Sequence, residues 1–159
     1  MSWQKHRRWR GACRSPAFSP SSPLFFERVL LNFMLGNGDA HLKNFSMLET
    51  DGGALRLSPA YDLVCSKAVI PREMDCALTL NGRPNKLSRR DFEQFADTLN
   101  IPPKALRGIL ERFSQGFPIL LRLIACSRLS DDLQERIRRV MEERHRRLFA
   151  RPAAVSAPE

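Results

Sequence analysis

From Leu24 onward the apolar residues recur at helical spacing. Phe25, Phe26, Val29, Leu30, Phe33 and Met34 form a run that Gly36 stops, which predicts a helix. That helix is apolar around much of its circumference and is expected to be largely buried. A polar turn follows, and then the period changes to two. Phe45 and Met47 alternate with Asn44, Ser46 and Glu49, Thr50-Asp51-Gly52-Gly53 supplies a turn, and Leu55 and Leu57 return. This is the pattern of a β-hairpin. A weaker hairpin signal covers Ala77-Leu78-Thr79-Leu80 with Asn81-Gly82 as its turn. Ser88 with Asp91 reads as an acidic capping box, opening a helix with Phe92, Phe95, Ala96 and Leu99 on one face. Pro102-Pro103 opens the next, since proline is tolerated in a first turn. Its stripe is Leu106, Ile109, Leu110 and Phe113, and Gly116 and Pro118 are expected to kink or divide it before Ile119. A last helix starts near Ser130, with Asp131 and Asp132 in its first turn and arginines at its end, a polarity that suits the helix dipole.

The expected fold is therefore mainly α with small β-hairpins (α+β), without the βαβ alternation of a doubly wound sheet. Residues 24–150 read as one domain, 1–23 as an irregular basic tail and 151–159 as a frayed end. Of 159 residues, 43% are hydrophobic, enough for a core. The net charge is +9, but Lys5, Arg7, Arg8, Arg10 and Arg14 supply more than half of that excess, with no acid before Glu27. The anionic-partner signal thus belongs mostly to the tail, which reads as a ragged start rather than a transit peptide. Direct nucleic-acid binding is not expected: the arginines at 136, 138, 139, 144, 146 and 147 interleave with Glu135, Glu142 and Glu143 and read as a solvated helix face with internal ion pairs. Four cysteines with no CxxC pair and no secretory segment point to a reduced, cytoplasmic protein. Cys65 and Cys76 read as small buried residues. No apolar run approaches the ~20 residues that span a bilayer.

The chemistry gathers in the polar turns. Asp39, His41, Lys43 and Asn44 follow Gly36-Asn37-Gly38 within a few residues. Asn44 stands at one foot of the first hairpin and Asp62 beyond the other. Because the strands of a hairpin start and end near one another, Asp62 is expected to return to Asn44. A carboxylate, a carboxamide oxygen and a second carboxylate are hard ligands of the kind Mg²⁺ takes together with substrate phosphates, which fits phosphoryl transfer. Two other classes remain open on the residues alone. One is a metal-dependent hydrolase using Asp39, His41 and Asp62. The other is a binding module that does no chemistry.

The separation of Asp39 and Asn44 matches the protein-kinase catalytic loop, in which the Asp takes the substrate proton and the Asn holds a metal. Three stretches in order, "GNGDAHLKNFSML", "LSPAYDL" and "LTLNGRPNKLSRRDF", resemble the C-terminal region of the HipA family, the serine/threonine kinase toxins of bacterial toxin–antitoxin pairs. The similarity runs roughly from Leu24 to Phe149. It implies a helical, protein-kinase-like C-terminal lobe. It gives Asp39 the catalytic-base role, makes Asn44 and Asp62 Mg²⁺ ligands, and sets His41 and Lys43 against the phosphates of ATP with Tyr61 beside Asp62. It also implies transfer of the ATP γ-phosphate to a protein serine, in known members often on an aminoacyl-tRNA synthetase, and a HipB-like antitoxin as partner. No Gly-rich loop or N-terminal-lobe strand precedes the turn, so the expectation is a C-terminal lobe alone, paired with an N-lobe chain in trans or a gene fragment. Such a lobe is expected to have no kinase turnover by itself, to keep weak Mg²⁺–nucleotide affinity, and to expose an apolar patch that favours self-association.

Overall fold

The computed structural model describes residues 21–51 and 53–150. The expected tails and the cationic cluster of residues 5–14 lie outside the described residues, apart from 21–23. Those three belong to the first helix, α1 (Ser21–Leu35), with Pro23 tolerated in its opening turn. Phe25, Phe26, Val29, Leu30, Phe33 and Met34 are all buried, as the all-round apolar pattern requires. The helix ends in a Schellman arrangement: Gly36 takes φ +73°, its N–H donates to the Phe33 carbonyl, and Asn37 N–H donates back to the Asn32 carbonyl.

A short 3₁₀ turn (Leu42–Asn44) leads to the antiparallel pair β1 (Met47–Glu49) and β2 (Leu55–Leu57). Their register sets Met47 opposite Leu57 and Glu49 opposite Leu55. A second 3₁₀ turn covers Ser66–Ala68. The helices α2 (Arg89–Thr98), α3 (Pro103–Ala125) and α4 (Asp131–Phe149) complete the described elements. The fold is mainly helical with one small sheet. The capping box of α2 forms as expected, with Ser88 N–H and Oγ both donating to Asp91 Oδ2, at 2.9 and 2.7 Å.

The core is an aromatic stack on α1. Phe26 stacks on Phe95 at 5.8 Å and meets Phe92 edge-on, Phe33 lies 5.0 Å from Phe92, and Phe25 meets Phe45 at 5.4 Å. The last contact pins the foot of the hairpin to α1. Ile137, Met141 and Leu148 of α4 and Ile109, Leu110 and Phe117 of α3 close the other sides.

Three expectations are corrected. The second hairpin is a turn without strands: Leu80 and Arg83 form an isolated bridge around Asn81 and Gly82, both at positive φ. Pro84 follows at once and has no N–H to extend a ladder. Gly116 and Pro118 do not divide α3, which runs as one helix through Pro118, its inner face buried at Ile109, Leu110 and Phe117. The arginines of α4 are not all solvated. Arg138 pairs with Glu135 and Glu142, and Arg136 with Asp132, on the outside. Arg144 is instead 2% exposed and ion-paired with Asp75, while Arg147 Nη2 lies 2.5 Å from the other Asp75 oxygen. Both guanidinium groups also cover the Phe33 ring, at 4.8 and 5.1 Å. Leu87 N–H donates to Asp75 and Arg147 Nε donates to the Leu87 carbonyl. This knot ties the irregular segment before α2 to α4. Burial works against the Asp75 charge, but Arg147, Arg144 and the Leu87 N–H more than offset it and hold the carboxyl below the usual range.

Candidate functional site

The polar turn after α1 is clamped from two sides. On one side Asn37, 1% exposed, donates through Nδ2 to Asn32 Oδ1 at 2.8 Å and to the Asp62 carbonyl at 2.9 Å. On the other, Gly38 N–H donates to Ser66 Oγ at 2.9 Å and Lys67 N–H donates to the Gly36 carbonyl at 3.1 Å. There is no room for side chains between. A Cβ on Gly36 would run into Val140 of α4, and one on Gly38 would meet the Met74 carbonyl and Glu73 Oε2, the latter at 2.6 Å.

The hairpin then does what its pattern predicts. Ser58 N–H donates to the Ser46 carbonyl at 2.9 Å and the two serine hydroxyls meet at 3.0 Å, so the feet are closed. Tyr61 OH reaches back across them to the Lys43 carbonyl at 2.6 Å. Asp62 adopts φ +55°, and its carboxylate accepts a hydrogen bond from Asn44 Nδ2. The two residues expected to meet are therefore in direct contact across 18 positions of sequence. Asn44 is buried and Asp62 exposed. Asn44 Oδ1 accepts the His41 N–H at 3.0 Å, which fixes the amide and closes the 3₁₀ turn.

The remaining candidates sit around this pair without bonding to it through their side chains. Asp39 is exposed; its carbonyl accepts the His41 N–H at 2.7 Å, while its carboxylate makes no hydrogen bond or ion pair among the described residues. Lys43 is exposed and its ammonium is likewise without an ion pair there. His41 is half-buried, with Nδ1 enclosed and unpartnered among the described residues. Among the described residues no three His, Cys, Asp or Glu side chains converge on a metal position, so Asp39, His41 and Asp62 do not form the ligand cluster that the hydrolase alternative requires.

Tyr61, Leu63 and Val64 flank Asp62 with exposed apolar surface, and Val69, Ile70 and Met74 follow. Reading the sequence missed Asn37, Ser66 and Asp75. Asn37 between two glycines has the composition of any turn, and only its burial reveals a second task. Ser66 and Asp75 belong to a segment without periodicity, so nothing in its pattern marks an inward-facing hydroxyl or carboxylate. No helix among the described residues is long and apolar enough to cross a membrane.

Comparison with known proteins places the chain in a family. The HipA-like C-terminal domain family matches residues 8–119, well over half of the chain and starting upstream of Leu24. The serine/threonine-protein kinase toxin HipA of Shewanella oneidensis is 31% identical over 108 residues, 67% of this chain and 24% of that protein. Y4dM of Sinorhizobium fredii, which carries a provisional kinase name, is 36% identical over 72 residues, 45% of this chain and 17% of that protein. The chain thus spans about a quarter or less of the length of these curated relatives.

Proposed function

Because the chain belongs to the family of HipA-like C-terminal domains, we propose that it supplies the catalytic-loop lobe of a serine/threonine protein kinase toxin. The observation that carries this reading is the contact between Asn44 and Asp62, which brings two hard-oxygen residues together across the feet of the hairpin, with Asp39 exposed in the turn that leads to Asn44. The donor set fits Mg²⁺, which binds through one or two carboxylates and otherwise keeps water and phosphate oxygens. Asn44 Oδ1 has a second lone pair beyond the one given to His41. Nδ2 is the atom that faces Asp62, so joint ligation by the two requires the amide to turn and its oxygen to leave the His41 N–H.

When bound, Mg²⁺ neutralises phosphate charge and orients the transferred group. Asp39 takes the proton from the acceptor serine hydroxyl as that oxygen bonds the ATP γ-phosphorus and ADP departs. Its exposure leaves it open to a protein substrate. Lys43 offers an unpaired ammonium to phosphate oxygens, and His41 stands in the same turn, its half-buried ring enclosed at Nδ1. Tyr61 braces the feet of the hairpin and so keeps Asp62 at Asn44. In the whole protein the same premise makes a HipB-like antitoxin the partner, an aminoacyl-tRNA synthetase the model substrate, and the cytoplasm the place of action.

Calorimetric titration of the chain with Mn²⁺ and ATP tests the reading. Binding that is lost in both Asp62→Ala and Asn44→Ala, and kept in Glu49→Ala on β1, is the expected result. Binding indifferent to Asp62 and Asn44, or no binding at millimolar concentration, refutes it.

A further inference from the structure

We propose that Asn37 is a positioning residue for the Asp62 carboxylate, an inference that rests on the metal-ligand reading of Asn44 and Asp62. Among the described residues Asp62 is one of four non-glycine residues at positive φ, a backbone region that Asp enters more readily than most L side chains but still at a cost. In that conformation its carbonyl accepts a hydrogen bond from Asn37 Nδ2 at 2.9 Å. Turning the Asp62 peptide back to negative φ would redirect both this carbonyl and the carboxylate that meets Asn44.

The requirement on position 37 is specific. Both neighbours of its side-chain nitrogen, Asn32 Oδ1 and the Asp62 carbonyl, are acceptors, so the residue must present two donors from one planar group. An amide does so and a carboxylate of the same shape does not. Asn37 is itself held on the far side. Its backbone N–H is bonded to the Asn32 carbonyl, and Asn32 Nδ2 donates to the Arg28 carbonyl at 3.0 Å. The chain of bonds therefore runs from the backbone of α1 through Asn32 and Asn37 to the Asp62 carbonyl. From the other end Asn44, pinned by His41, meets the same residue's carboxylate. Asn37 touches neither metal nor substrate and acts through Asp62, as outer partners of metal ligands do.

The test compares ¹⁵N-labelled wild-type chain with Asn37→Ala and with Ile109→Ala, a core truncation on α3 remote from the site. The expected result is that both variants lower the melting temperature while Asn37→Ala alone loses the distinct, slowly exchanging Asn44 side-chain amide signal. Asn37→Ala also weakens Mn²⁺ binding about tenfold or more. A folded Asn37→Ala chain that keeps the Asn44 signal and binds Mn²⁺ within a factor of two of wild type overturns the proposal. So does an equal loss in Ile109→Ala. If Asn37→Ala does not fold, Asn37→Ser takes its place, since the shorter hydroxyl cannot span both acceptors, and a Mg²⁺ titration of wild type is added. The Asn37 side-chain amide should then shift in step with that of Asn44, and an unmoved Asn37 signal overturns the claim. Wild-type chain that takes up no Mn²⁺ sinks the kinase reading instead, and the Asn44 amide comparison still decides the role of Asn37.

Discussion

Removing the charge of Asp75 should cost more than any change among the outer ion pairs of α4. Asp75→Asn keeps the shape of the side chain and an oxygen for the Leu87 N–H, but it leaves Arg144, 2% exposed, and the part-buried Arg147 with only the half-exposed Glu143 carboxylate, at 3.5 and 3.3 Å, among the described residues. Truncating one partner of a buried pair typically costs 3–5 kcal/mol, because the other charge stays desolvated without compensation. The retained acceptor argues for the lower end, about 3 kcal/mol. Domains of this size are stable by roughly 5–15 kcal/mol, so the variant should still fold. With a urea slope of about 2 kcal/mol per molar, the midpoint should fall by about 1.5 M. Glu135→Gln removes a carboxylate that serves two exposed arginines, Arg138 and Arg139, and should shift the midpoint far less, because solvent already screens that pair.

The pH dependence has a definite sign. The folded pKa of Asp75 lies below its ordinary value, so its contribution is complete above about pH 4, near the unfolded pKa, and is lost as pH falls through the folded value. The gap between wild type and Asp75→Asn should therefore be widest near neutrality and close in acid. Urea melts at pH 7 and at pH 3 measure it. Equal midpoints for wild type and Asp75→Asn at pH 7, or a gap that widens in acid, would refute the argument.

Further outcomes follow from the packing. Gly38→Ala should lower stability by about 1–3 kcal/mol, since its Cβ meets the Met74 backbone, whereas Gly108→Ala, with open space around it in α3, should raise stability by about 0.4–1 kcal/mol; paired urea melts distinguish them. Phe92→Ala, at a fully buried ring in contact with Phe26 and Phe33, should cost about 3–5 kcal/mol, and a loss under 1 kcal/mol would contradict the core described. In thiol labelling at pH 8, exposed Cys126 should react readily. Cys76, whose thiol burial pushes up to about 12, should label only on unfolding, which mass mapping can follow.

The elements built on strong periodicity were readable in the sequence. Phe25 to Met34 announced α1, the alternation around Met47 and Leu57 announced the hairpin, and that hairpin alone implied that Asp62 returns to Asn44. The segment between Leu63 and Leu87 was not readable. Outside the short alternation of Leu78 and Leu80, its buried residues Ala68, Asp75 and Cys76 lie in single turns and irregular chain, with Asp75 paired to α4, and these leave no period behind. The same limit hid Arg144 and Arg147. On the sequence they fit an i,i+4 ladder with glutamates as well as Arg138 does, and only the position of Asp75 decides that they turn inward. Pro118 is a case of another kind: the division that the local rule allowed is not made, and α3 runs as one helix through it.

The hairpin separates the place where the chain reverses from the place where its ends are used. Ser46 and Ser58 fasten the feet, while Asp51, Gly53 and Ala54 beyond the strands are exposed and bear no group that the site depends on. Extra length there is entropically mild, about 0.6 kcal/mol for each doubling of a flexible loop. The tip is therefore a natural port for a grafted epitope or fluorophore tag, one that would report on this lobe without disturbing it.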